Sequence, residues 1–110
     1  MNLTKFRSNE YIGVKVPDLE AAKTFYTTVL GFELKQKEEN YLIFDTGHFL
    51  LCVSKGIRVQ PPVPSFTVSD FEKAKKILIE NGCEIVDGGD KWLWFKDPFG
   101  IVYDIIEKQS

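Results

Sequence analysis

The sequence predicts an α+β protein built from two βαβββ modules whose sheets curve around a shared cavity. Residues 16–23 and 68–75 share the pattern Val-x-Asp-(Leu/Phe)-Glu-x-Ala-Lys at a spacing of 52 residues, which indicates an internal repeat. Hydrophobic periodicity gives the same order in both halves, a strand, a helix and three more strands. One helix covers only one face of a four-stranded sheet, so the uncovered faces should form a concave surface between the modules, where small molecules usually bind.

The composition is that of one small globular domain, and it excludes several classes of function. The 110 residues are 44% hydrophobic and 27% charged, with a net charge of −2, so no nucleic-acid-binding surface is expected. The two cysteines are far apart, which predicts neither a disulfide framework nor a cysteine-rich zinc site. No run approaches the roughly 20 apolar residues of a membrane helix, and no signal-peptide core opens the chain. We therefore expect a cytoplasmic protein that binds no membrane.

Module one is predicted at residues 10–54, after a loose lead-in at 1–9. The alternation of apolar and polar residues at 11–16 indicates a half-buried strand. Asp18 stands where the N-cap of a helix is expected, and Gly31 where that helix should end. The expected buried stripe of the helix is Leu19, Ala22, Phe25, Tyr26 and Val29. Further strands are predicted at 32–36, 41–45 and 48–53.

Module two is predicted at residues 63–108, after a linker at 55–62 that has no hydrophobic periodicity and is rich in glycine and proline. Ser69 and Glu72 have the spacing of a capping box at the start of a helix, which Gly82 should end. The expected buried stripe of this helix is Phe71, Ala74, Ile77 and Leu78. Strands are predicted at 63–68 and 83–86, and a hairpin closes the chain.

The closing hairpin consists of two runs of aromatic and β-branched residues, 92–96 and 101–106, around the turn Asp-Pro-Phe-Gly at 97–100. Proline presets φ at the second position of such a turn, and glycine tolerates a left-handed backbone at its end. Asp104 is the only charge on the otherwise apolar second strand. This carboxylate must face either water or a pocket.

The chain resembles the vicinal oxygen chelate superfamily, which contains glyoxalase I, bleomycin-resistance proteins and extradiol dioxygenases. The resemblance rests on Val-Pro-Asp-Leu-Glu at 16–20, Phe-Tyr at 25–26, Leu-Gly-Phe at 30–32 and the closing segment 95–104. It covers nearly the whole chain and implies the paired βαβββ fold. It leaves the function open, because this fold hosts many chemistries.

Metal-dependent members of this superfamily hold a divalent ion with four residues, one on each of four cavity-facing strands. The resemblance puts these positions on Tyr11, Cys52, Val63 and Asp104. Valine has no donor atom and tyrosine is a poor ligand for magnesium, zinc or nickel, so the two remaining residues do not make a tight site. His48 shares the strand alternation of Cys52 but lies at the strand's start, outside the expected cavity. We therefore expect no metal ion and no other cofactor.

Asp104 is the first candidate for a ligand-binding residue, since the resemblance places it on the cavity face with Val102 and Ile106. A carboxylate in an apolar pocket has a raised pKa and can accept a hydrogen bond, act as a general base or balance a cationic ligand. The alternatives are a solvated carboxylate or one paired with Lys15.

Further candidates are less specific. Trp92 and Trp94 share one strand face and could stack on a planar ligand, or they could pack in the core or a dimer interface. Tyr11 could donate a hydrogen bond to a ligand or serve as packing. Cys52 could be a cavity thiol or a small buried hydrophobe. Strand alternation adds two cavity candidates, Lys15 and Thr67.

The predicted function is metal-free binding of a small molecule in the manner of bleomycin-resistance proteins, with sequestration of a planar toxic compound or antibiotic as one form. One alternative is an enzyme of the superfamily, either a glyoxalase-like lyase or isomerase with a degenerate metal site or a metal-free enzyme that uses Asp104 as its base. Another is a non-catalytic regulatory dimer. The resemblance also implies a homodimer, because single-chain members commonly pair. The sequence does not choose the ligand.

Overall fold

The computed structural model describes residues 5–108, and these form two contact units. We call residues 10–63 module one, and residues 5–9 together with 64–108 module two. Each half has the order strand, helix and three strands, which confirms the predicted α+β class with βαβββ modules. No helix within residues 5–108 has the length and apolarity needed to cross a membrane.

Module one has a four-stranded mixed sheet. Its elements are β1 (Arg7–Val16), whose first three residues belong to module two, α1 (Leu19–Thr24), a π-helical turn (Phe25–Val29), β2 (Glu33–Lys37), β3 (Tyr41–Asp45) and β4 (Leu50–Lys55). The strand order is β2-β3-β4-β1, with β1 parallel to β4 and the other pairs antiparallel. The fully covered face buries Val14, Leu42, Phe44, Leu51 and Val53.

The first strand begins earlier than expected. Residues 1–9 were predicted to be loose, but β1 starts at Arg7, while residues 1–4 lie outside the described part. Phe6 packs against the core of module two, and the Asn9 amide donates to Ser65 Oγ. These tertiary contacts stabilise the start of β1, where the sequence shows no alternation of apolar and polar residues.

The buried side of the first helix differs from the predicted stripe of apolar residues. Asp18 is the N-cap, as predicted, and its Oδ1 accepts from Ala21 N–H at 3.0 Å. From Phe25 the backbone widens into a π-turn, seen in the bond from Leu30 N–H to Phe25 C=O at 3.2 Å. The wider turn changes the spacing of side chains around the axis, so Phe25 and Val29 are exposed rather than buried.

Module two repeats this architecture. Its elements are β5 (Gln60–Val68), whose first four residues belong to module one, α2 (Phe71–Glu80), β6 (Glu84–Gly88), β7 (Trp92–Lys96) and β8 (Val102–Glu107). The order is β5-β8-β7-β6, with β5 parallel to β8. Phe71, Ala74 and Leu78 of α2 pack into the core. Asp70, and not the predicted Ser69, caps α2 by accepting from Lys73 N–H at 3.0 Å.

Half of the predicted linker at 55–62 is strand. Lys55 ends β4 and Gln60 begins β5, so only residues 56–59 lie outside strands. The predicted strand at 48–53 also moves, because a turn from Thr46 to Phe49 occupies its start, with Thr46 N–H bonded to Phe49 C=O at 3.0 Å. His48 lies in this exposed turn. The domain limits drawn from the sequence remain a prediction.

The repeat extends to the strand register. Gly13 lies opposite Cys52 in the parallel pair of module one, and Ser65 lies opposite Asp104 in that of module two. The antiparallel ladders carry the same irregularity, between Leu34 and Gln36 in one module and between Ile85 and Asp87 in the other. A register irregularity that recurs at the equivalent position of both modules indicates a structural feature of the fold rather than a local defect.

The closing turn forms as predicted. Asp97 Oδ1 accepts from the backbone N–H groups of Phe99 and Ile101, each at 2.9 Å. Gly100 has φ +94° and donates to Asp97 C=O at 3.0 Å. The aspartate side chain therefore takes up two backbone donors that the reversal would otherwise leave without a protein partner.

We expect Asp97→Ala to lower the free energy of unfolding by about 1–2 kcal/mol, because two side chain–backbone hydrogen bonds are lost. Urea denaturation monitored by tryptophan fluorescence measures this. Asp90→Ala, which removes an exposed carboxylate in the preceding loop, is the control and should change stability by less than about 0.5 kcal/mol. Equal denaturation midpoints for the two variants would contradict the structural role of Asp97.

Candidate ligand-binding site

The sheet of module two has one face packed on α2 and one turned away from it. The face packed on α2 carries residues of the hydrophobic core of module two, namely Val68, Leu93, Phe95 and Ile105. Strand alternation places the residues between them on the opposite side, which we call the distal face. The distal face carries Ser65, Thr67, Trp92, Trp94 and Asp104.

Asp104 lies at the centre of the distal face. The strand register puts it between Ser65 on β5 and Trp94 on β7. The residue is half-buried, but its Oδ1 atom is out of reach of solvent and has no hydrogen-bond partner among residues 5–108. Burial raises the pKa of Asp104 from 3.8 to about 7, and a hydrogen bond from the Ser65 side chain works in the opposite direction.

Ser65 is held in place by Asn9. The Asn9 Nδ2 group donates to Ser65 Oγ at 2.9 Å and to Thr67 Oγ1 at 3.1 Å. Because the lone pairs of Ser65 Oγ accept from this amide, its hydroxyl proton can be donated to Asp104. Within module two there is thus a polar network of Asn9, Ser65 and Asp104. Its central member, Ser65, is buried, with 4% of its surface exposed.

The two tryptophans differ in their surroundings. Trp94 is buried, with 7% of its surface exposed, whereas Trp92 is 38% exposed. A side chain at Gly89 would overlap the Trp92 indole, so this ring packs on the backbone of the β6–β7 turn. Trp92 therefore has one packed side and one accessible side, and Trp94 flanks the Asp104 carboxylate as part of the floor of the site.

The other predicted site residues lie in module one. Tyr11, Lys15 and Cys52 alternate with the core residues of β1 and β4, and all three are half-buried. The stem of Lys15 packs on Gly56, where an added Cβ would come within 3.1 Å of Lys15 Cβ.

Sequence reasoning missed two members of the polar network, Asn9 and Ser65. Ser65 had a signal, because it lies two residues before Thr67 on a predicted strand and faces the same way. Its repeat mate is Gly13, so the hydroxyl next to the carboxylate belongs to module two alone. Asn9 had no such signal, because its segment shows no periodicity.

The family model of the glyoxalase/bleomycin resistance protein/dioxygenase superfamily matches residues 10–105. The chain belongs to this superfamily. No sequence among the curated proteins matches this superfamily member.

Solved structures of extradiol dioxygenases share the fold of this superfamily member. A variant of homoprotocatechuate 2,3-dioxygenase from B. fuscum gives a TM-score of 0.68 at 25% identity, over 96% of this chain and 33% of the dioxygenase. Its anaerobic complex with 3,4-dihydroxyphenylacetate, from Brevibacterium fuscum, gives 0.70 at 24% identity, over 96% and 38%. A room-temperature structure of an extradiol ring-cleaving dioxygenase from B. fuscum gives 0.68 at 25%, over 96% and 34%. The chain thus spans about a third of the length of these proteins.

The superfamily fold raises the question of a divalent metal ion, and the donor set does not fit one. Of the four positions that the resemblance implies, Val63 has no donor atom and is fully buried. No three His, Cys, Asp or Glu side chains within residues 5–108 are grouped as metal ligands.

Proposed function

We propose that this superfamily member binds a small organic molecule on the distal face of module two without a metal ion, and that Asp104 is the anchor. The observation that supports this most directly is the Asp104 Oδ1 atom, which is buried and has no hydrogen-bond partner within residues 5–108. A buried acceptor without a donor costs about 1–3 kcal/mol. A ligand that brings an N–H or O–H donor would recover that cost on binding.

The surroundings of Asp104 favour a particular ligand chemistry. The carboxylate accepts from Ser65 on one side, and the accessible side of the Trp92 indole lies on the same face. A planar or heteroaromatic ring stacked on an indole gains about 0.5–1.5 kcal/mol beyond the area that it buries. We therefore propose a planar molecule with a cationic or neutral donor group, and sequestration of a toxic compound or antibiotic as its biological form.

The pKa of Asp104 supports a second candidate, metal-independent proton transfer. With a pKa of about 7, the carboxylate can both accept and release a proton near neutral pH. General acid–base catalysis of this kind contributes typically 10²–10⁴-fold to a rate. A lyase or isomerase would then use Asp104 as its base, with the Ser65 hydroxyl stabilising the ionised form. Turnover of a bound compound, abolished in Asp104→Asn, distinguishes this enzyme from a binding protein.

The binding proposal is tested by a thermal-shift screen of planar amines and neutral heteroaromatic compounds, each with and without EDTA. Hits are then titrated calorimetrically into wild type, Asp104→Asn and the control Asp90→Asn. Removing a charged hydrogen-bond acceptor costs about 1.5–3 kcal/mol, so Asp104→Asn should weaken binding roughly 10–100-fold. The control should bind within about twofold of wild type. Binding that is lost in EDTA, or unchanged in Asp104→Asn, would contradict the proposal.

Two further features remain proposals. A homodimer is proposed because single-chain relatives commonly pair, and sedimentation velocity at micromolar concentration tests it; a single monomer boundary would contradict it. A cytoplasmic location is the second of these proposals, and cell fractionation tests it.

A further inference from the structure

Module two has a basic cleft next to the distal face. Its volume is about 530 Å³, and it is lined by Lys5, Arg7, Thr67, Val68, Ser69 and Lys108. The lining residues come from three separate stretches of the chain: residues 5–7 at and just before the start of β1, residues 67–69 at and just after the end of β5, and Lys108 directly after β8. The fold therefore gathers three cationic side chains and two hydroxyl groups that the sequence keeps apart.

Among residues 5–108, no acidic residue lines the cleft, although the whole protein has a net charge of −2. Glu107 precedes Lys108, but its carboxylate oxygens accept from Phe71 N–H at 3.3 Å and bind Lys91 Nζ at 3.1 Å. Lys35 pairs with Glu33, and neither of these two residues lines the cleft. Like charges in one concavity repel each other and raise the local concentration of anions.

We infer that this cleft binds the anionic group, a carboxylate or a phosphate, of a small molecule. Arg7 can hold either group with two parallel hydrogen bonds, whereas the two lysines act as point charges. The Thr67 and Ser69 hydroxyls add neutral donors at the cleft wall. A carboxylate and a phosphate are both compact, delocalised anions that accept hydrogen bonds from several convergent donors.

Thr67 links the cleft to Asp104. The same Asn9 amide donates to Thr67 in the cleft wall and to Ser65 beside Asp104. Ser65 and Thr67 are two residues apart on β5, which is roughly 7 Å along a strand. This step rests on the proposed function. If that function holds, the ligand carries a donor group for Asp104 and an anionic group at least about 7 Å from it. Such a molecule is zwitterionic or amphoteric.

The anion site is tested with inorganic phosphate and acetate, titrated separately into ¹⁵N-labelled full-length protein. Saturable amide shifts are expected at residues 67–69 and 108, and the tighter of the two probes identifies the preferred group. Arg7→Gln and Lys108→Gln should each weaken binding of that probe at least about fivefold. Lys76→Gln, which removes one exposed charge from α2 outside the cleft, should change it less than about twofold. Thermal melts of each variant report whether it folds.

The outcomes separate this inference from the proposed function. Shifts that do not saturate, or that respond equally to Arg7→Gln and Lys76→Gln, overturn the anion site. If phosphate or acetate binds as expected but no screened compound depends on Asp104, the anion site stands and the proposed function falls. If screened compounds depend on Asp104 but neither anion binds, the proposed function stands and the inference falls.

Discussion

Replacing Asp104 with asparagine is expected to stabilise the protein at pH 8 and to leave its stability at pH 4 almost unchanged. The folded state raises the pKa of this carboxyl from 3.8 to about 7. Between these values the folded protein holds a proton that the unfolded chain has released. Stability therefore falls as pH rises through this window and is lowest above pH 7, where the carboxylate is ionised in both states.

The expected size follows from the two pKa values. Each tenfold difference in proton affinity is worth about 1.4 kcal/mol, so full ionisation of Asp104 costs the folded state up to about 4 kcal/mol. Asparagine keeps the shape of the protonated acid and cannot ionise. We expect Asp104→Asn to gain about 1–4 kcal/mol over wild type at pH 8, measured by urea denaturation from pH 4 to pH 8.

The matched control is Asp90→Asn, which makes the same chemical change at an exposed carboxylate. Its difference from wild type should be flat over the same pH range, since exposed charges change stability by less than about 0.5 kcal/mol. An Asp104→Asn variant that is less stable than wild type at pH 8 would mean that the carboxylate is stabilising when ionised. The carboxylate would then have a donor in the protein, and the proposed anchor for a ligand would lose its basis.

Truncating Phe44 to alanine is expected to cost about 3–5 kcal/mol of the free energy of unfolding, as for other fully buried aromatic residues. Phe44 has no exposed surface and packs in the core of module one, with its ring centroid 5.4 Å from that of Tyr26. The loss is large against the typical net stability of about 5–15 kcal/mol for a protein. Urea denaturation at pH 5, where Asp104 is protonated in the folded state, measures it.

Phe99→Ala is the matched control for Phe44→Ala, because it removes the same ring from a position that is 87% exposed. We expect it to change stability by less than about 0.5 kcal/mol. Phe99 contributes to the closing turn through its backbone N–H, which alanine retains. If the two substitutions had equal effects, β3 would not have the core position that the structure assigns to it.

Much of the fold could be predicted because its signals are local or repeated. The Asp97 turn depends on four adjacent residues, and Asp18 caps α1 from the position expected for it. The second cap was misplaced by one residue because Ser69 and Asp70 are both good N-cap residues. The stripe of the first helix failed at Phe25 and Val29, while Tyr26 packs on the core as expected. The sequence pattern assumes α-helical spacing, and the backbone from Phe25 onward forms a π-turn.

The candidate site could be predicted only in part. Strand alternation put Trp92 and Trp94 on one strand face and made Thr67 a cavity candidate, whereas the resemblance put Asp104 on the cavity face. The register places Trp94 opposite Asp104, a neighbour relation that the sequence did not predict. Strand alternation also did not show that Trp94 is buried while Trp92 remains partly exposed. That difference depends on which other chain segments cover each ring, and no pattern along one strand carries this information.

The sequence by itself determined the repeat, and with it the pairing of Asp104 with the position of Cys52 one module earlier. Alternation and spacing depend only on the geometry of extended chains, so they can be read without tertiary contacts. Only the tertiary structure determined the solvent exposure, the hydrogen-bond partners and the pKa of Asp104. It brought Asn9 to Ser65 from 56 residues away, removed Oδ1 from solvent and raised the pKa of the carboxyl to about 7. Desolvation is the sum of all atoms packed around a group, and those atoms come from distant parts of the chain.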